Sequence, residues 1–142
     1  MKTMTKVFVA IAAVGLVACS GSKKNYANLT AHEWILDKVE HVDSASQIVI
    51  PQERELRMAF ADSTQAVYGM APCNGFFGPF TVDGDNMTIG SLATTMAYCL
   101  DMPFESAYLA WLKDVATYKA TENTLTLRDA NNKVTLYYIK KQ

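Results

Sequence analysis

The sequence predicts an α+β fold: a small antiparallel curled β-sheet or barrel-like meander with one α-helix late in the chain. Two observations carry that reading. Between residues 34 and 139, short runs of alternating apolar and polar side chains recur, separated by Asp-, Asn- and Gly-bearing turns. A single segment, beginning near Met102, repeats its apolar residues at helical spacing, and it does not alternate with strands as βαβ units do.

The chain opens on a segment of another kind. Lys2 and Lys6 precede an apolar run at residues 7–17, which ends in Leu16-Val17-Ala18-Cys19. A basic start, a short apolar stretch and small residues before a cut form a secretory signal. The run is too short to span a bilayer as a permanent helix. Leu-Val-Ala-Cys resembles the bacterial lipobox, in which the thiol is acylated and cleavage falls just before it; the alternative is an ordinary signal with a chance cysteine. The lipobox reading makes residues 1–18 a signal peptide and Cys19 the lipidation site, with the membrane as partner through fatty acyl chains such as palmitate. Each buried acyl methylene contributes about 0.8 kcal/mol, so two or three chains anchor a protein firmly. Residues 19–28 are polar and carry Lys23 and Lys24, which predicts a flexible tether. By resemblance to enteric sorting rules, Ser20 after the lipidated cysteine points to the outer membrane. The lack of an acidic cluster in the tether points to the periplasmic face.

Residues 29–142 then form one domain, long enough for a single core. Residues 34–42 alternate and predict a first strand, with either Trp34 and Leu36 or Ile35 and Val39 on its buried face. Ile48-Val49-Ile50 predicts a short strand stopped by Pro51. Residues 55–60 put Leu56, Met58 and Phe60 on one face, and 65–70 return after the Ala61-Asp62-Ser63-Thr64 turn as a hairpin. Residues 73–78 read as a Gly-rich aromatic loop. Phe80 and Val82 continue as a strand to the Asp83-Gly84-Asp85-Asn86 turn, a strong hairpin signal, and 87–89 return from it. Residues 92–98 read as short and irregular.

Pro103 suits a first helical position and Glu105 the first turn. Phe104, Tyr108, Trp111, Leu112 and Val115 then give one apolar stripe, read as a core face. Segments around Tyr118, at 125–127 and at 134–139 predict three more strands, the last two joined by Asp129-Ala130-Asn131-Asn132.

Composition narrows the function. Lys2 and Lys6 leave with the signal and no acid does, so the net charge of −1 becomes two units more negative. That is no electrostatic footprint for nucleic acid. Once Cys19 carries lipid, Cys73 and Cys99 remain in an oxidising compartment, where a disulfide is the economical reading. Closing a loop of about 25 residues would stabilise by roughly 3 to 4 kcal/mol. A metal or redox site is the rival, although no CxxC occurs and His32 and His41 lie far from both cysteines in sequence. Met70, Met87, Met96 and Met102 surround the cysteines, and thioethers suit Cu(I). Met is also a common core filler, and no Met-x-x-Met cluster is present. Candidate bases for an enzyme are His32, His41, Asp83, Asp85 and Glu105. No Gly-x-Ser-x-Gly or other supporting motif accompanies them, and Asp83 and Asp85 read as turn formers. No metal or cofactor is implied.

Cys73-Asn74-Gly75-Phe76-Phe77-Gly78-Pro79-Phe80 resembles the Cys-Asn-x-x-x-Gly-x-aromatic core of the META domain, as in HslJ-like heat-inducible lipoproteins. Gly69 sits where that family keeps an upstream glycine. Thr94-Thr95-Met96-Ala97-Tyr98-Cys99 resembles its Thr-x-Met-Ala-Cys stretch. Trp34 and the helix from Met102 match in place. Two departures are plain: Pro72 stands where the family has Gly, and Tyr98 adds a residue before Cys99. The resemblance implies a small antiparallel β structure with one helix, a Cys73–Cys99 bridge, and association with envelope stress, motility and secretion. It implies no enzymatic activity. Read physically, Gly75 and Gly78 permit positive φ or close backbone approach, Asn74 can bond neighbouring backbone, and Phe76, Phe77 and Phe80 fold over the core. The motif therefore reads as a folding signature. The expected function is that of a non-enzymatic outer-membrane lipoprotein that binds an envelope protein or serves in envelope stress.

Overall fold

The computed structural model describes residues 19–44 and 47–142; the signal peptide expected at residues 1–18 lies outside them. The alternating segments become nine antiparallel strands among the described residues: β1 Glu33–His41, β2 Arg57–Ala61, β3 Ala66–Met70, β4 Gly75–Asp83, β5 Asn86–Ile89, β6 Ala93–Thr94, β7 Val115–Ala120, β8 Thr124–Asp129 and β9 Val134–Lys140. Two helices accompany them, α1 Cys19–Ala31 and α2 Met102–Lys113. The strands run in the order β3-β2-β1-β9-β8-β7-β5-β4, and β4 pairs back onto β3, closing an eight-stranded barrel. Of the curled sheet and the barrel-like meander expected from the sequence, the barrel is the form taken: the eight strands pair in a closed ring. The short β6 lies against β4, on the side β5 occupies further along.

Inward side chains of every stave fill the barrel. Trp34, Leu36, Val39, Met58, Phe60, Phe80, Leu125, Leu127, Leu136 and Tyr138 are buried. Phe60 and Phe80 meet edge to face, with ring centres 5.0 Å apart. The sequence left the facing of β1 open, and a register shift between Leu36 and Lys38 settles it. This bulge inserts an extra residue, so Trp34 and Leu36 point inward before it and Val39 after it. Both alternatives hold, each for half of the strand.

Three local expectations change. Residues 48–50 form no strand; Ile48 and Ile50 pack on the core while Val49 is exposed. Residues 75–78 are the first half of β4, an alternating strand rather than a loop. Neither Gly75 nor Gly78 takes a positive φ; among the described glycines only Gly84 does, at +61°, in the β4–β5 turn.

The largest correction is α1, for the stretch expected to be a flexible tether is helical. Its anchoring face is built of amides. Asn25 accepts a hydrogen bond from the Ala120 N–H (2.6 Å) and donates to Asp85 (2.9 Å). Asn28 donates to the Ala120 carbonyl (3.3 Å). β7 meets β5 only at Asn86–Thr117, so the end of β7 has backbone groups with no neighbouring strand. The two asparagines supply partners for one such residue, and an unpaired buried backbone group is costly. Tyr26 bonds Asp62, and Leu29 is fully buried beneath the Trp34 indole, whose N–H donates to the Leu29 carbonyl (3.0 Å). The polar composition of residues 19–28 hides this role.

Candidate functional site

The Cys73–Asn74 corner, between β3 and β4, is where the sequence motif becomes geometry. Asn74 and Glu105 are both 3% exposed. Glu105 sits in the first turn of α2 and turns its carboxylate onto the corner. One oxygen accepts the N–H of Cys73 (2.7 Å) and the N–H of Asn74 (2.9 Å); the other accepts the Asn74 side-chain amide (2.6 Å). Glu105 stands in the first turn of α2, as its sequence position predicts. It is the acceptor that closes a buried polar network.

The other side of Asn74 reads backbone. Its carbonyl oxygen accepts the Ala97 N–H (2.6 Å) and its amide donates to the Ala97 carbonyl (3.0 Å). In effect the side chain acts as one more peptide group, extending the β4–β6 ladder past Gly75. Thr95 completes the arrangement. Its hydroxyl donates to Asn74 (2.8 Å) and accepts the Gly75 N–H (3.1 Å), and its own N–H donates to the Gly75 carbonyl (3.1 Å). Just beyond, a disulfide joins Cys73 to Cys99, with Cα atoms 5.7 Å apart. Residues 95–99 are thereby tied to the barrel by hydrogen bonds along their length and a covalent bond at their end.

The glycines of the motif have distinct jobs. A Cβ at Gly69 would stand 2.1 Å from the Arg57 carbonyl oxygen and 2.7 Å from the Phe76 ring. One at Gly78 would stand 2.7 Å from the Ser91 carbonyl oxygen. Both are close-approach positions, whereas Gly75 has room, its nearest neighbour being Met70 Sδ at 3.5 Å. Phe76 and Phe80 point into the core, but Phe77 does not. It is 63% exposed, because alternation along β4 must put it on the outer face. Thr94 and Met96 lie on the outside. Pro72 is buried at the corner and Tyr98 is exposed.

What this lock presents to solvent is apolar. Met96, Leu100 and Tyr98 are 98%, 90% and 84% exposed. Phe77 pairs with Ala93 on one side and Tyr68 on the other, and Tyr68 is also exposed. Large apolar side chains grouped on an ordered segment mark an interaction surface more often than a surface accident.

The remaining candidates are dispersed. His32 packs edge-on to Trp34, and His41 accepts the Asp43 N–H through Nδ1. Asp85 holds Asn25, and Asp83 closes the β4–β5 turn. Met87 is in the core while Met96 is on the surface, so the thioethers are not gathered, and the disulfide occupies both thiols. A groove of about 640 Å³ between α1 and β7–β8 is open and of mixed charge, with Lys24, Lys119 and Arg128 against Asp85 and Glu122. Beside it Tyr118 is buried, and its hydroxyl has no hydrogen-bond partner among the described residues. Burial, with Asp85 and Tyr26 nearby, pushes that phenol up to about 12. In the barrel interior Tyr108 of α2 meets Tyr138 of β9, hydroxyl to hydroxyl at 3.1 Å, and burial raises both phenols.

Residues 27–142 match the META domain. The chain belongs to the META domain family. The META match begins within α1, two residues before the boundary expected from the sequence. Among solved structures, an NMR structure of a protein from Burkholderia xenovorans is similar over 100% of this chain and 99% of its own, with TM-score 0.70 and 18% identity. A crystal structure of a DUF4847 family protein from Bacteroides vulgatus is similar over 80% of this chain and 96% of its own, with TM-score 0.60 and 11% identity. At these identities the likeness is one of fold. No curated protein matches the chain.

Proposed function

We propose that this META-domain protein is a non-enzymatic lipoprotein, held in the outer membrane by acyl chains on Cys19, facing the periplasm. It serves the envelope, including under stress, by binding a protein partner through the locked segment at residues 93–100. The observation that carries the binding role is the near-complete exposure of Met96, Tyr98 and Leu100 on backbone fixed by Asn74, Thr95 and the Cys73–Cys99 bridge. A surface already ordered loses little conformational entropy on binding, so apolar contacts made there count more fully toward affinity. The barrel interior is filled by core side chains, which leaves an outer surface as the place for recognition.

The anchor follows from the Leu16-Val17-Ala18-Cys19 sequence. Cys19 lies within α1, so the lipid would attach to a helix seated on the barrel, and Lys23 and Lys24 would lie near the bilayer surface. Cys19→Ala should remove the acyl mass and release the protein from membranes.

The binding role is tested by placing a photoreactive phenylalanine derivative at position 98 of the lipidated protein in living cells. Irradiation should give a defined protein adduct, and the same probe at Val49, an exposed apolar position off the locked segment, should not. A folded, membrane-bound protein with no adduct at position 98 would contradict the reading.

A further inference from the structure

Among the described residues, the Tyr118 hydroxyl alone is a buried side-chain polar atom without a hydrogen-bond partner. The residue is 3% exposed, and a buried donor left without an acceptor is costly. Alternation along β7 turns Tyr118 inward, and Asn25 of α1 donates to its carbonyl (3.5 Å). Two grooves, of about 640 and 370 Å³, flank α1 here, and Tyr118 lines both. Asp85 stands on the wall of the larger groove and Tyr26 on the wall of the smaller. Each is close enough to raise the phenol electrostatically, which puts the hydroxyl at the partition between the two grooves.

The surroundings are cationic in a chain of net negative charge. Lys24, Lys119 and Arg128 line the larger groove against Asp85 and Glu122, and Lys23 is the one charged residue lining the smaller. Asp85 is engaged by the Asn25 amide at 2.9 Å, and Arg128 is shared with Glu40 and Tyr137. Lys23, Lys24 and Lys119 are exposed and enter no ion pair among the described residues.

We propose that the larger groove seats a phosphate ester beside α1, with the Tyr118 hydroxyl donating to a phosphate oxygen and Lys24 and Lys119 balancing its charge. A phosphate offers several acceptor oxygens and up to two charges. It can therefore take a phenol and two ammonium groups from separate sides at once, which suits lysine as a point charge. Asp85 and Glu122 remain as acceptors for hydroxyls on the esterified alcohol. A groove of this volume admits a group of that size. Two sources share the chemistry: the headgroup of a bilayer lipid, which acyl chains on Cys19 would hold beside α1, and a soluble phosphoester. The site stands on α1 and β7 and draws nothing from residues 93–100.

The test uses residues 19–142 with Cys19→Ser, which keeps every described element of the fold. Glycerol 3-phosphate titrated at low salt should move the amide signals of Lys24, Asn25, Tyr118 and Ala120 saturably, and acetate should not. Tyr118→Phe removes one oxygen and should weaken binding about tenfold, the loss of one hydrogen bond to a charged group. Its melt should be unchanged or raised, because an unsatisfied buried group has gone. Lys24→Gln should weaken binding several-fold and flatten its salt dependence. Lys113→Gln on α2, the same loss of charge away from the grooves, should leave binding as it was. Flotation with phosphatidylcholine vesicles, with and without phosphatidylglycerol, separates the sources. Binding to glycerol 3-phosphate that Tyr118→Phe weakens supports a soluble phosphoester. Binding that appears only on phosphatidylglycerol vesicles, and is likewise weakened, assigns the phosphate to a bilayer headgroup. No binding in either arm, equal shifts with acetate, or binding indifferent to Tyr118→Phe overturns the inference and leaves water as the partner of the hydroxyl.

Discussion

Replacing Glu105 by glutamine probes the buried lock with the smallest possible change of shape. The carboxylate accepts three hydrogen bonds, from the Cys73 and Asn74 backbone and from the Asn74 amide, and it is 3% exposed. Glutamine keeps one carbonyl oxygen, which can continue to serve the two backbone donors. Its NH2 then faces the Asn74 NH2 at a site where the two atoms stand 2.6 Å apart, donor against donor. One hydrogen bond to a charged group is lost, worth about 1.5–3 kcal/mol, and the Asn74 NH2 keeps only its bond to the Ala97 carbonyl. We expect Glu105→Gln to destabilise by about 2 kcal/mol, or about 8 °C in Tm at roughly 4 °C per kcal/mol for a domain of this size. Glu105→Ala leaves all three donors without their acceptor; at about 1–3 kcal/mol each, discounted for water entering the space, the loss should be about 4 kcal/mol. Calorimetric melts of the oxidised protein measure both. If both variants melt within about 2 °C of the parent, a shift of under 1 kcal/mol, the carboxylate does not hold the corner and the lock is wrongly described.

Other outcomes follow from the same structure. Gly69→Ala should cost several times more stability than Gly75→Ala, since its new Cβ would stand 2.1 Å from a carbonyl oxygen while that at Gly75 meets nothing closer than 3.5 Å; paired denaturant titrations decide it. A chain starting at Leu29 should be about 2 kcal/mol or more less stable than one starting at Cys19, because it lacks the Asn25, Tyr26 and Asn28 hydrogen bonds; equal stability would show that α1 only rests on the barrel. Tyr108, Tyr118 and Tyr138 are raised in the folded state, mainly by burial, so the stability they contribute is complete below the unfolded phenol range near pH 10. It should fade as pH climbs from there toward and beyond about 12, where Tyr118 ionises in the fold. Tyrosinate absorbance at pH 11 should therefore show these three of the seven tyrosines silent until the protein unfolds.

The sequence made the strands legible because alternation is a direct consequence of one face being buried, as in Leu56, Met58 and Phe60. It made the helix legible because Tyr108 and Leu112 repeat at a helical interval. It hid what does not depend on hydrophobic period. The bulge after Leu36 switches faces without any residue type that announces it. α1 is held by amides bonding a strand end, so no apolar stripe betrays it. Residues 75–78 resemble a loop because two glycines interrupt the pattern; in the barrel Gly78 admits the close approach of Ser91, while Gly75 has room. The cysteine pair was readable from compartment and count, and the structure joins it. Nothing in the sequence marks Glu105 as the partner of Asn74, since 31 positions separate them and only folding brings them together.

The Asn74 network and the Cys73–Cys99 bridge hold residues 95–99 still. Backbone 15N relaxation of the oxidised protein tests this directly. Order parameters there should match those of the strands, at about 0.85, and should fall below about 0.6 in Asn74→Ala, where Ala97 loses both of its partners. Values already that low in the parent protein would contradict the claim that this segment is a preformed face.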